Sequence, residues 1–191
     1  MIMQRWLLVA CVLGTGPANA QDGPLETIAT ALEKPGHVEL LDVLSNPDTA
    51  LAPFTTDGCS GGLSLVWQTI AEQSPAFHDA HQTAPPWENC CVTHDRAYHN
   101  AGGATGWGES FNARKDADLA LQSCVQNTGT SRATALAAQY NMSAGQVEVT
   151  YALISDAMYL AVRAGGAPCT GLPWRWGYGY PNCTILNRLL E

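Results

Sequence analysis

Two cysteines stand side by side, Cys90 and Cys91, inside Trp87–Asn100, a stretch that reads as a helix stopped by Gly102-Gly103. Neighbouring side chains on a helix diverge by about 100°, so the two sulfurs face different parts of the molecule and need different partners. A helix tied at one point to two other segments leaves few arrangements for the rest of the chain.

Such ties require an oxidising compartment, and the N-terminus supplies a route to one. Met1–Arg5 carries one positive charge, Trp6–Leu13 is apolar, and Ala18-Asn19-Ala20 offers small residues for cleavage. A signal peptide over residues 1–20 is expected, leaving 21–191 as one domain of a secreted or periplasmic protein. The seven cysteines of the chain then lose Cys11, and an even set remains, which reads as three disulfides. Leu8-Val9-Ala10-Cys11 also resembles a lipobox, so a lipoprotein anchored at Cys11 is the lesser alternative; its apolar region would be only Trp6–Ala10. Six cysteines permit fifteen connectivities, and spacing alone selects none.

Nine basic residues against seventeen acidic ones, unclustered, give a net charge of −8. This removes the usual electrostatic basis for binding nucleic acid or an anionic membrane surface. No apolar run after the leader reaches about eighteen residues, so no transmembrane segment is expected.

Helical spacing recurs along the chain, while strand-like alternation is scarce. Leu25, Ile28, Ala29 and Leu32 mark a helix that Pro35-Gly36 should end, with a second over Val38–Leu44. Thr55–Gly62 reads as a Gly-rich loop and Leu63–Gln73 as a helix. Separate helices are expected at Phe111–Gln126 and Ser131–Asn141. Ser143 and Gln146 form a capping box that opens a further helix, with Val147, Tyr151, Ile154, Met158 and Val162 on one face and a stop at Gly165-Gly166. Pro173–Tyr180 is too rich in Gly, Pro and aromatics for a regular element. The fold class is all-α.

On the Trp87–Asn100 helix, Cys90, His94, Tyr98, Cys91 and Asp95 fall within one arc of about 140°. Here the chain resembles the secreted phospholipase A2 superfamily, in its bacterial and fungal members. The resemblance rests on Cys90-Cys91-x-x-His94-Asp95-x-x-Tyr98, on Thr56-Asp57-Gly58-Cys59 before it, and on Ala117-Asp118-x-x-Leu121-x-x-Cys124 after it. It spans a core motif region, residues 56–125, and leaves the C-terminal helix and aromatic tail, 143–191, outside.

The resemblance implies a disulfide-stapled helical domain with two antiparallel central helices and a metal-binding loop. It implies the pairs Cys59–Cys91 and Cys90–Cys124, which leave Cys169 with Cys183. The implied activity is calcium-dependent hydrolysis of the sn-2 ester of glycerophospholipids at a membrane or micelle interface. His94 would activate a water, Asp118 would orient His94, and the Tyr98 hydroxyl would bond Asp118. Asp95, Gly58 through its carbonyl and Asp57 would hold Ca²⁺, with the carbonyls of Ser60 and Gly62 as further candidates.

These residue types suit that chemistry. An imidazole with a pKa near about 6.5 accepts a proton from water at neutral pH, and a carboxylate on its other nitrogen fixes the tautomer. Oxygen ligands suit Ca²⁺. Asp116 competes with Asp118 behind His94, because both flank an apolar stripe centred near Ala117. With Cys90 bridged to Cys124 across antiparallel helices, His94 lies about 6 Å from the bridge level, Asp118 about 9 Å and Asp116 about 12 Å, which favours Asp118.

Other readings stand beside these. The same fold could serve a catalytically silent protein that binds lipid or a protein partner. His78 and His81 have a spacing that could serve zinc, although Pro75 argues for a solvated loop. Trp174, Trp176, Tyr178 and Tyr180 could meet lipid or pack beneath the Cys169–Cys183 loop.

Overall fold

The computed structural model describes residues 24–59 and 63–184. The expected leader with Cys11, and the Ser60 and Gly62 carbonyls, lie outside the described residues. Among those described there are six α-helices, one short 3₁₀ turn at Ala101–Gly103, and no strand. The helices are α1 (Pro24–Ser45), α2 (Leu63–Gln73), α3 (Pro75–His81), α4 (Glu88–Asn100), α5 (Trp107–Tyr140) and α6 (Ala144–Gly165). All three cysteine pairs are bonded as Cys59–Cys91, Cys90–Cys124 and Cys169–Cys183.

Cross-links between helices give their directions. Cys90 joins Cys124, His94 meets Asp118, and Gly102 abuts Ala113, so α4 and α5 run antiparallel. Along α5 and α6, Arg114 bonds the Gly166 carbonyl, Gln122 bonds Asp156, and Gly129 faces Tyr151, again in antiparallel register. Helix α1 lies across the start of α5, where His37 bonds Ser110.

Three local expectations are corrected. Helix α1 does not stop at Pro35-Gly36 but continues through them to Ser45, absorbing the segment Val38–Leu44. Proline removes one backbone bond and crowds the preceding turn. Burial beyond it offsets that cost, since His37 and Leu40 are both fully enclosed. The helices expected at Phe111–Gln126 and Ser131–Asn141 are one helix of 34 residues. Its buried face runs unbroken through Arg114, Asp118, Leu121, Val125, Gly129, Ala133 and Leu136. Charged residues occupy one end of that face and small ones the other, so hydrophobicity does not trace it. Of the stripe around Ala117, only Leu121 and Val125 lie on this face; Ala117 is half-buried and Ala120 exposed. Lastly, His78 and His81 lie on α3 rather than in a loop. Pro75 opens this helix, where its missing N–H is not needed, and the Ser74 hydroxyl accepts from the Phe77 amide at 3.3 Å.

Elsewhere the elements match their sequence signals. Helix α2 spans Leu63–Gln73, and α6 opens on the Ser143–Gln146 capping box and closes at Gly165. The tail between Cys169 and Cys183 is irregular, yet it is bonded to the end of α4. The amides of Gly177 and Gly179 donate to the carbonyls of Tyr98 (2.7 Å) and His99 (3.1 Å) at the helix end. Trp176 is fully buried, edge-on to Tyr98.

Two buried clusters flank the region where α4 meets α5. One gathers Trp87, Leu121, Val125, Val147 and Tyr151 around the Cys59–Cys91 and Cys90–Cys124 bridges. The other gathers Leu40, Tyr98 and Trp176 beside Cys169–Cys183.

Candidate active site

All five residues assigned to one arc of α4 are buried: Cys90, Cys91, His94, Asp95 and Tyr98. The two cysteines anchor the helix, and His94, Asp95 and Tyr98 carry polar groups into the interior between the clusters. Opposite them on α5 stands Asp118, with no exposure to solvent, whereas Asp116 points into solvent.

His94 Nε2 lies 2.8 Å from Asp118 Oδ1, and the Tyr98 hydroxyl donates to the same oxygen at 2.7 Å. The other oxygen, Oδ2, accepts from Arg163 Nη1 at 3.0 Å. Burial alone would raise the pKa of Asp118. The bond from His94, the charge of Arg114 and the bond from Tyr98 outweigh it and hold the carboxyl below the usual range. For His94 burial acts downward, but the bond to Asp118 and the nearby carboxylates of Asp118 and Asp95 prevail, so its pKa is raised. Burial pushes the Tyr98 phenol well up, which keeps it a donor.

With Nε2 engaged by an anionic carboxylate, the ring proton of neutral His94 resides there and Nδ1 keeps its lone pair. Nδ1 stands 3.9 Å from Asp95 Oδ1, beyond direct hydrogen-bond range and suited to an intervening group. His94 and Asp95 line a mainly apolar cavity of about 270 Å³ walled by Val162, Gly165, Leu172 and Trp174. Asp95 and Trp174 also line a second cavity of about 340 Å³, with Thr56, Asp57 and Tyr178. His94 lines the first cavity, and its neighbour Asp95 lines both.

The acidic cavity is held by the loop before α2. The Thr56 hydroxyl donates to Asp95 Oδ2 at 2.6 Å and accepts from the Gly58 amide at 3.0 Å. Cys59 binds the loop to α4. Gly58 has φ of +76°, and a β-carbon there would lie 2.6 Å from Glu88 and Ser64 oxygens, so only glycine suits the position. The Tyr178 hydroxyl donates to the Thr55 carbonyl at 2.6 Å. Its pKa is pushed up to about 12 by burial and by the charges of Asp95 and Asp57.

A hard cation suits the two carboxylates, Asp57 and Asp95, and the Thr56 hydroxyl that line this cavity, while Gly58 is not among its lining residues. Among the described residues no three His, Cys, Asp or Glu side chains converge as a metal cluster, so ligation would draw on backbone oxygens as well. His78 and His81 do not converge on a zinc site. His78 lies exposed beside Asp79, while His81 stacks on Tyr140.

Five residues that periodicity and motif did not single out extend the site inward. Arg163 Nη2 donates to Glu33 Oε1 at 2.9 Å. Arg114 pairs with the other oxygen of Glu33 and donates to the carbonyls of Val162, Arg163 and Gly166. Behind Glu33, His37 reaches Ser110 Oγ at 2.8 Å. Trp176 Nε1 donates to the same hydroxyl at 3.0 Å and seals this Glu–His–Ser line from solvent. One signal was present: Arg114 and Asp118 are four residues apart, hence on one face of a helix.

Among the described residues the geometry defines a helical, disulfide-bonded protein with a buried His–Asp pair beside an apolar cavity. Comparison with protein-family models, curated proteins and solved structures finds no match for the chain.

Proposed function

We propose that this chain is an exported, calcium-dependent phospholipase A2-like hydrolase that cleaves the sn-2 ester of glycerophospholipids with a water activated by His94. The observation that carries the reading is the pairing of His94 Nε2 with fully buried Asp118, which leaves Nδ1 unengaged by that carboxylate in a residue that lines the apolar cavity, next to Asp95, which lines both cavities. Nδ1 accepts the proton of the attacking water, and Asp118 stabilises the imidazolium that results. Tyr98 fixes Asp118 from below without changing its charge. The apolar cavity suits an acyl chain, and the acidic one suits a cation facing a phosphate. Asp95 and Asp57, with the Gly58 carbonyl, would hold Ca²⁺, which supplies charge stabilisation for the phosphate and the developing oxyanion.

The test is fatty-acid release from phosphatidylcholine–phosphatidylglycerol vesicles by purified protein, in calcium and in excess chelator. Release that needs calcium and disappears in His94→Ala is the expected result. Vesicle binding without release would select the silent lipid-binding alternative and end the hydrolase reading.

A further inference from the structure

We propose that Arg163, backed by Glu33, is a positioning residue that holds the Asp118 carboxylate in the one orientation that aligns His94. The inference rests on the reading of His94 as the base, and it adds a residue from α6 and one from α1 to a site otherwise built from α4 and α5.

The geometry is that of a fork gripped at both tines. Arg163 Nη1 donates to Asp118 Oδ2 at 3.0 Å and Nη2 to Glu33 Oε1 at 2.9 Å. Because His94 and Tyr98 share Oδ1, the carboxylate cannot rotate about its own axis without releasing Arg163 from Oδ2. Arg163 is itself immobilised. It lies in the last turn of α6, where the carbonyls of Val162, Arg163 and Gly166 accept from Arg114. Arg114 is fully buried and closes the assembly by pairing with Glu33. Two carboxylates thus face two guanidiniums, so the buried network is neutral overall, as low-dielectric surroundings demand. His37, which adjoins Glu33, is kept below its ordinary pKa mainly by burial and adds no charge at neutral pH.

A planar guanidinium makes both contacts at once, whereas an ammonium is a point charge on a flexible stem. A purely mechanical clamp between α1, α5 and α6 would affect stability alone. A positioning role affects turnover and the His94 ring proton.

The experiment uses the mature protein and its Arg163→Met, Arg163→Lys and Glu33→Gln variants, each checked for native packing by near-UV circular dichroism. Proton NMR in chelator follows the low-field ring N–H of His94, identified by its loss in His94→Gln. Vesicle hydrolysis at saturating calcium gives kcat and KM separately. Arg163→Met is expected to lose the His94 resonance to exchange and to lower kcat by roughly 10- to 100-fold at unchanged KM, by analogy with the outer-shell groups that orient a metal-ligating His. Arg163→Lys restores part of both signals, and Glu33→Gln shifts both in the same direction by less. A folded Arg163→Met with wild-type kcat and a wild-type His94 resonance overturns the proposal. Should Arg163→Met not fold, wild-type values for both readouts in Arg163→Lys and Glu33→Gln overturn it equally. A wild-type protein that releases no fatty acid refutes the hydrolase reading, and the His94 resonance then decides the positioning claim by itself.

Discussion

A carboxylate with no access to water persists as an anion only when its oxygens are occupied, and those of Asp118 are. Asp116, two residues earlier, has the same chemistry and none of this surrounding. The contrast yields a comparison of two conservative variants. Asp118→Asn should cut turnover by up to about 10⁴-fold, because an amide no longer fixes the His94 tautomer or stabilises the imidazolium. Asp116→Asn should keep turnover within a few-fold, since it removes only a solvated charge. Steady-state kcat at saturating calcium checks both; a crippled Asp116→Asn beside an active Asp118→Asn would reassign the partner of His94. The motif residues were legible from sequence, because helical spacing alone places His94, Asp95 and Tyr98 on one side of α4. Choosing between the aspartates from sequence took an axial-rise argument whose two options differ by only about 3 Å.

At the scale of elements, α5 shows why periodicity misled. Its inward face holds Arg114 and Asp118 where the site needs charge, and Gly129 where Tyr151 rests, so a hydrophobic pattern breaks up along a helix that is continuous. The same reasoning applies to α1, where Pro35 is an ordinary stop signal overruled by the burial of His37 and Leu40. Boundaries set by caps, by contrast, were readable, as Ser143 with Gln146 shows. Gly129 provides the test. In an isolated helix Gly→Ala is stabilising by about 1 kcal/mol. Here the added β-carbon would lie 2.4 Å from Tyr151, so Gly129→Ala should instead destabilise the protein by about 1–3 kcal/mol, as overpacking does. Urea unfolding measures the sign directly, and a gain in stability would show that α5 and α6 are not in close contact at this level.

For the whole molecule, the three disulfides serve unequal ends. Cys59–Cys91 and Cys90–Cys124 close segments of 32 and 34 residues and converge on adjacent positions of α4, while Cys169–Cys183 closes 14. Chain entropy gives each about 3–4 kcal/mol, so stability alone hardly distinguishes them. Function should. Replacing Cys59 and Cys91 by serine frees the loop carrying Thr56, Asp57 and Gly58, and calcium affinity should fall more than tenfold by calorimetry. Replacing Cys169 and Cys183 should cost similar stability and leave calcium affinity within a few-fold. Equal losses in the two variants would remove the Thr56–Cys59 loop from the metal site. His94 and Tyr98 were expected as partners of Asp118, but Arg163 and the Glu33 behind it were not, because they reach it only through the order in which α1, α5 and α6 stack.

That stacking has a consequence for the moment of synthesis. The surroundings of His94 are drawn from Glu33 near one end of the described chain and from Trp176 near the other. A nascent chain that has extended past Cys124 but not yet past Arg163 holds His94 and Asp118 on two helices joined by the Cys90–Cys124 pair, yet lacks the guanidinium that grips Asp118 Oδ2. Under the proposed reading, full activity would therefore await the docking of the final helix, and a fragment released before it would be the weaker hydrolase.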